Sequence, residues 1–258
     1  MEELQDGLYQ YTHRVLQVLL QESVFPDAIQ FGNEISAGML WPIGKLPLHK
    51  DWDPTDHDIT QEWENVVKLI QTGIQAMDDV LQDVQISLRP TRPRVVIHLD
   101  TGGDSEFTQH WMETYLALQG TCDIIGLSWY PMWHGTLEDL RKNIDNLSNK
   151  FPDQEVWLVE TAYYWEGYCA ADDPECRAKF PFPLTEQGQS DHLGKLRDML
   201  LQTKCRAVFY WGSHWTQPQK WFRSEAGETW EDAERRALFN RTGHVLTGMA
   251  TLAGHSIE

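Results

Sequence analysis

The chain has 258 residues, 41% of them hydrophobic and 23% charged, and a formal net charge of −18. That length can hold one large core, and the ordinary apolar content excludes global disorder. The acidic balance opposes nucleic-acid binding and docking on anionic membranes, both of which need a basic face, whereas a neutral polysaccharide is indifferent to it. No apolar run reaches the roughly 18 residues of a membrane span, and the acidic start Met1–Asp6 lacks the apolar segment of a signal peptide.

In chain order, a helix is predicted over 4–21 and a first strand over 28–33, ending in Asn33-Glu34. Residues 61–84 place Val66, Val67, Ile70, Ile74, Met77 and Leu81 on one helical stripe. Strands follow at 94–99, 123–128, 155–160 and 206–211, read from β-branched and aromatic apolar runs. Helices are predicted between and after them at 106–119, 136–149, 186–203 and 232–252. Strand alternating with helix means βαβ units and a parallel sheet. With no linker or short repeat, one domain over 1–258 is the simplest division.

Two of these strands end in a carboxylate. Glu34 follows 28–33 and Glu160 closes 155–160. In (β/α)₈ barrels the C-terminal strand ends carry the chemistry. Two carboxylates there suit glycoside hydrolysis, one protonating the leaving oxygen and the other attacking the sugar carbon. Each Glu alone also reads as a surface residue at a strand end. The chain has 12 Trp. Some can fill the core, but those at strand ends can stack on sugar C–H faces. Cys169 and Cys176 are either free thiols or a local disulfide, which needs an oxidising compartment. Cys122 and Cys205 read as buried small hydrophobes. Glu166, Asp172, Asp173 and Glu175 offer oxygens to calcium, but their spacing matches no EF-hand and reads more simply as a solvated loop, so no metal is expected. There is no glycine-rich phosphate loop and no serine nucleophile elbow, and no cofactor is expected.

The segment from Gln30 to Pro42, QFGNEISAGMLWP, resembles the acid/base segment of glycoside hydrolase family 53, the arabinogalactan endo-β-1,4-galactanases. Val159–Tyr163 resembles that family's nucleophile segment, Asp123–Trp133 its sixth barrel strand and Val208–Trp211 its eighth. The matches run in family order over nearly the whole chain. The resemblance implies a retaining endo-β-1,4-galactanase with Glu34 as acid/base and Glu160 as nucleophile. It also implies that the (β/α)₈ TIM barrel is incomplete: strands four to eight are present and the first three are lacking, as in an N-terminally truncated chain. The five strands are then expected to form an open arc with two unpaired edges.

Further roles follow from the resemblance alone. Asn33 is similar to the residue that binds the sugar 2-hydroxyl, and Tyr130 to the donor that orients the nucleophile. Trp211 resembles the platform under the sugar next to the cleaved bond, where a cis peptide to Gly212 is expected. Trp41, Trp133, Trp165 and Trp215 are expected as outer walls of the cleft. His98 and Asp100 match the family's His-Leu-Ala/Asp-Asn-Gly pattern, with Gly103 standing where the family usually carries Trp. The expected partner is galactan, and the expected setting is extracellular with a monomer when complete. Two rivals remain: another β-1,4-glycanase of the same clan, or a carbohydrate-binding protein without turnover.

Overall fold

The computed structural model describes residues 1–53, 60–83, 90–170, 173–216 and 235–254. Its centre is a five-stranded parallel sheet. The strands are β1 (Ala28–Gln30), β4 (Arg94–Leu99), β5 (Ile124–Ser128), β6 (Glu155–Thr161) and β7 (Cys205–Tyr210). They lie side by side in that order, each paired parallel with the next. A two-stranded antiparallel hairpin, β2 (Gly38–Met39) with β3 (Gly44–Lys45), follows the first strand. The helices are α1 (Glu2–Gln21), α2 (Gln61–Gln82), α3 (Ser105–Ala117), α4 (Leu137–Lys150), α5 (Pro174–Arg177), α6 (Glu186–Leu200) and α7 (Thr247–Ala253).

One side of the sheet packs on the helices. Val95, Ile97 and Leu99 of β4 alternate outward with Val96 and His98, as a period of two requires. They join Leu127, Val156 and Leu158 in one cluster with Val66, Ile70 and Met77 of α2, Trp111 of α3, Ile144 of α4 and Leu196 of α6. Helix ends are fixed by short polar side chains. Asp104 caps α3, Thr136 makes a reciprocal capping box with Asp139 on α4, and Thr185 caps α6, each satisfying donors that a helix start leaves free. On the inner side, a Cβ at Gly126 would meet Val159 and Val96 at 3.0–3.1 Å. The two edges differ from the centre: all five residues of β5 are buried, whereas none of the six in β7 is.

Several expectations need correction. The first strand stops at Gln30 rather than residue 33, because Gly32 turns the chain with φ +89° and Ile35 folds over it. The predicted helix 232–252 is helical only from Thr247, and its residues 232–234 lie outside the described residues. Within 240–244 the Asn240 side chain accepts from the backbone of Thr242 and His244, and Gly243 takes φ +83°. Such a local turn competes with helix. The expected cis bond after Trp211 is absent. The cis peptide among the described residues is Trp41–Pro42, an X-Pro bond, for which the trans preference is small.

Candidate active site

The loop after β1 carries the first carboxylate. Phe31 is buried against Gly73 of α2, where a Cβ would come within 2.7 Å of its ring. Glu34 then sits at φ 50°, ψ 55°, heading the short 3₁₀ turn Ile35–Ala37. A left-handed conformation is uncommon outside glycine and marks a position held by its surroundings. The holds come from β4 and α3. The Glu34 N–H donates to His98 Nδ1 at 3.3 Å, the Asp100 N–H to Ser36 Oγ at 3.2 Å, and Trp111 Nε1 to the Ser36 carbonyl at 3.2 Å.

Glu160 belongs to β6. It is aligned with Ser128 of β5 across a register shift between Leu127 and Ser128, and its carbonyl accepts from the Trp129 N–H at 2.9 Å. A shift of this kind re-aims side chains at the end of a strand. Tyr130 Oη donates to Glu160 Oε1 at 3.1 Å, and the Tyr130 N–H donates to His134 Nδ1 at 3.0 Å. Ser128 Oγ lies 2.7 Å from Glu34 Oε1 and 3.1 Å from Glu160 Oε2, and His98 Nε2 lies 2.8 Å from the same hydroxyl.

Glu34, His98 and Glu160 each present an atom within 4.8 Å of the others. That separation is close to the about 5 Å between the carboxyls of retaining glycosidases. It is also the grouping of acids and imidazole among the described residues that could be asked to hold a metal ion. Both His98 nitrogens are already engaged, one by a backbone N–H and one by Ser128, so the trio is not a free ligand set. The oxygen-rich calcium candidates are spread over other work. Glu166 pairs with Arg241 at 3.1 Å, and Asp173 caps α5. Asp172 lies outside the described residues.

The electrostatics divide the two sides. Burial raises the Glu34 carboxyl above the ordinary value, and the charges of Glu160 and Asp100 add to this, while the Ser128 hydroxyl works against it. Burial holds His98 down at about 4 against the partial support of Asp100, so its ring is neutral near pH 7. Burial and then the Glu160 charge raise the Tyr130 phenol, which keeps it a neutral donor. Asp100 has its Oδ1 buried with no hydrogen-bond partner, an acceptor left open beside the pair.

The remaining candidates are more scattered. Trp133 is 58% exposed and meets Tyr130 edge-on at 5.2 Å. Trp41 is 52% exposed, donates to the Ala37 carbonyl and carries Lys45 over its ring. Trp211 directly follows β7, beside Trp215, ring centroids 5.0 Å apart. The Trp165 N–H donates to the Arg235 carbonyl, while its indole N–H is buried and unpartnered. Asn33 Oδ1 accepts only a long 3.5 Å contact from Gln30 and touches neither carboxylate. Gly103 is explained by the backbone: a Cβ there would stand 1.7 Å from the His134 carbonyl oxygen. Cys169 and Cys176 are bonded, and Cys122 and Cys205 are free, Cys122 buried and Cys205 partly so. The disulfide lies in the loop where Tyr163, Tyr164 and Phe180 cluster with Tyr130. Sequence reading missed Ser128. Its one signal was a polar residue closing an otherwise apolar strand.

The family model of glycosyl hydrolase family 53 matches residues 1–252. An uncharacterized protein of Niallia circulans is 32% identical over 97% of the chain, which spans 66% of that relative. A probable arabinogalactan endo-β-1,4-galactanase A of Aspergillus flavus is 30% identical over 83% of the chain and 57% of its own length. Among solved structures, the family 53 catalytic domain of Ignisphaera aggregans superposes with a TM-score of 0.79 at 26% identity, covering 97% of this chain and 65% of that one. The chain thus spans about two thirds or less of the length of these relatives.

Proposed function

The chain belongs to glycosyl hydrolase family 53, and from that premise we propose that it carries strands four to eight of a (β/α)₈ barrel whose activity is retaining endo-β-1,4-galactanase. The observation that supports this most is the pair Glu34 and Glu160, on separate strand ends, sharing the Ser128 hydroxyl. In the reading we adopt, Glu160 attacks the anomeric carbon while Glu34 gives its proton to the leaving oxygen. Glu34 then takes a proton from the water that releases the glycosyl ester. The raised Glu34 carboxyl suits the acid, since a general acid must hold its proton near the working pH. Tyr130 holds Glu160 by Oε1, the oxygen that Ser128 does not reach. His98 fixes the Glu34 backbone, and Asp100 offers an open acceptor to a sugar hydroxyl. Asn33, Trp41, Trp133, Trp165 and Trp211 are assigned to sugar contacts in the cleft.

The galactan specificity is taken from the Aspergillus flavus relative, a probable arabinogalactan endo-β-1,4-galactanase. A polymeric substrate places the action outside the cell. Among the described residues, no helix is long and apolar enough to cross a membrane. Strands β1 and β7 are, among the described residues, each paired on one side only, so in this reading orientation of the pair depends on further strands closing the barrel. The test is reducing-sugar release from β-1,4-galactan, with anomeric configuration followed by proton NMR. It compares the 258-residue chain with a fusion that adds the first three strand–helix units of the Niallia circulans relative, each with a Glu160→Gln control. Weak turnover by the chain and retaining cleavage by the fusion are expected. Sugar binding by the fusion without turnover would favour a binding protein, and faster cleavage of mannan or glucan would favour another glycanase.

A further inference from the structure

Ser128 closes β5, is 0% exposed and touches three members of the site at once. A serine hydroxyl has one proton to give and two lone pairs to receive. His98 settles one lone pair. Its Nδ1 accepts the Glu34 N–H, so the proton of the neutral ring sits on Nε2 and is directed at Ser128 Oγ. The hydroxyl then has one donor and one lone pair left for two carboxylates. When both are ionised, it can serve only one of them. When Glu34 is protonated, Glu34 donates to the free lone pair and the hydroxyl donates to Glu160, and all three contacts are satisfied together.

We propose that Ser128 is a positioning residue whose hydroxyl turns between Glu34 and Glu160 and so ties the protonation of one to the free charge of the other. This rests on the retaining reading above. In the first step Glu160 bonds to the anomeric carbon, the glycosidic C–O bond breaks with its electron pair on the leaving oxygen, and that oxygen takes the Glu34 proton. Glu160 is now an ester and Glu34 a carboxylate, so the hydroxyl turns to Glu34. In the second step water bonds to the anomeric carbon and gives a proton to Glu34, and the ester pair returns to Glu160. The hydroxyl turns back. It transfers no proton of its own in either step, and the cycle needs no other reactant.

The groups that face Glu34 fix the expected direction. Glu160 on β6 and Asp100 beside β4 are acids that raise its carboxyl. As a donor to ionised Glu34 the Ser128 hydroxyl lowers it, but in the shared arrangement the hydroxyl accepts from protonated Glu34 and donates to Glu160, which favours the proton on Glu34. His98 is a neutral neighbour, and Tyr130 faces the pair, with the charge of Arg236 acting on its phenol. In Ser128→Ala the protonated form of Glu34 loses the acceptor that satisfies it, so Glu34 is expected to titrate at lower pH than in the wild type. The loss of kcat is expected to be about 10- to 100-fold, with a smaller change in KM. Two further variants separate the hydroxyl from its volume: Ser128→Thr keeps it, and Ser128→Val has nearly the same shape without it.

The experiment has two readouts. The first is the pH titration of Glu34 by carbon NMR in chain labelled at glutamate Cδ, with the signal assigned by its loss in Glu34→Gln. The second is the pH–rate profile on galactan of wild type and variants in the fusion. The proposal expects a downward Glu34 shift in Ser128→Ala, a matching move of the basic limb to lower pH, and higher kcat for Ser128→Thr than for Ser128→Val. An unmoved Glu34 titration overturns it, as does equal kcat for the Thr and Val variants. If wild type does not hydrolyse galactan, the functional reading fails, while the Glu34 titration still decides the role of the hydroxyl.

Discussion

The two carboxylates of the site are held in different ways. Glu160 is part of a strand, paired on both sides, with its side chain approached by the Tyr130 and Ser128 hydroxyls. Glu34 stands on a loop in a left-handed conformation, tied back by one backbone bond to a buried histidine. Desolvation and two facing acids raise the Glu34 carboxyl. That contrast suits the parts proposed above, nucleophile for the strand carboxylate and acid/base for the loop carboxylate.

The largest expected effect breaks the pair at either member. Glu160→Ala should lose on the order of 10⁵-fold in kcat, since a nucleophile has no substitute. Glu34→Ala should lose about 10²- to 10⁴-fold with a poor leaving group, and much less with an activated aryl galactoside that needs no proton. Steady-state kinetics on both substrates checks the asymmetry.

A second effect tests the tie between loop and strand. His98 is held at about 4 in the folded protein, against about 6.5 when unfolded. Between these values the unfolded chain binds the extra proton, so stability should be intact above pH 6.5 and fall as pH drops toward 4. The loss should reach about 3 kcal/mol. Protonated Nδ1 can no longer accept the Glu34 N–H, so the loop side should loosen first. Urea unfolding at a series of pH values should show this slope in wild type and a flatter one in His98→Gln.

Tyr130→Phe touches only the strand carboxylate. Removing a donor to a charged group costs about 1.5–3 kcal/mol, so kcat should fall about 10- to 100-fold while the basic limb of the pH profile stays in place. Glu34→Gln should give the smallest effect, and of opposite sign. A raised carboxyl costs stability as pH rises through its folded value, so the Gln variant should be more stable at pH 7. Below the ordinary carboxylate range the two should unfold alike.

Much of this was legible in the sequence where local and long-range demands agree. The strands β4 and β5 are apolar runs buried on both faces and β6 is buried on one, and the bounds of all three fall within a residue of those read from composition. Both carboxylates, Tyr130 and His98 meet beyond the C-terminal ends of these strands. The reading erred where one residue decides the backbone. Gly32 ends the first strand early, and Asn240 with Gly243 replaces a helix by a turn. The isolated signals did worst. Nothing in the sequence separates Ser128 from a core serine, because its role lies in three partners from three other segments. Trp41, Trp165 and Trp211 could be placed at strand or loop ends, but what each ring faces depends on packing that no spacing encodes.

The most direct measurement of the division of labour is azide rescue, followed by NMR of the glycosyl azide, in the form that hydrolyses an aryl β-galactobioside. Azide takes the place of the missing carboxylate. With Glu160→Ala it must attack the substrate directly and give the α-azide. With Glu34→Ala it must attack the glycosyl ester on Glu160 and give the β-azide. The account predicts that pattern. The reverse assignment of α- and β-azide would contradict it.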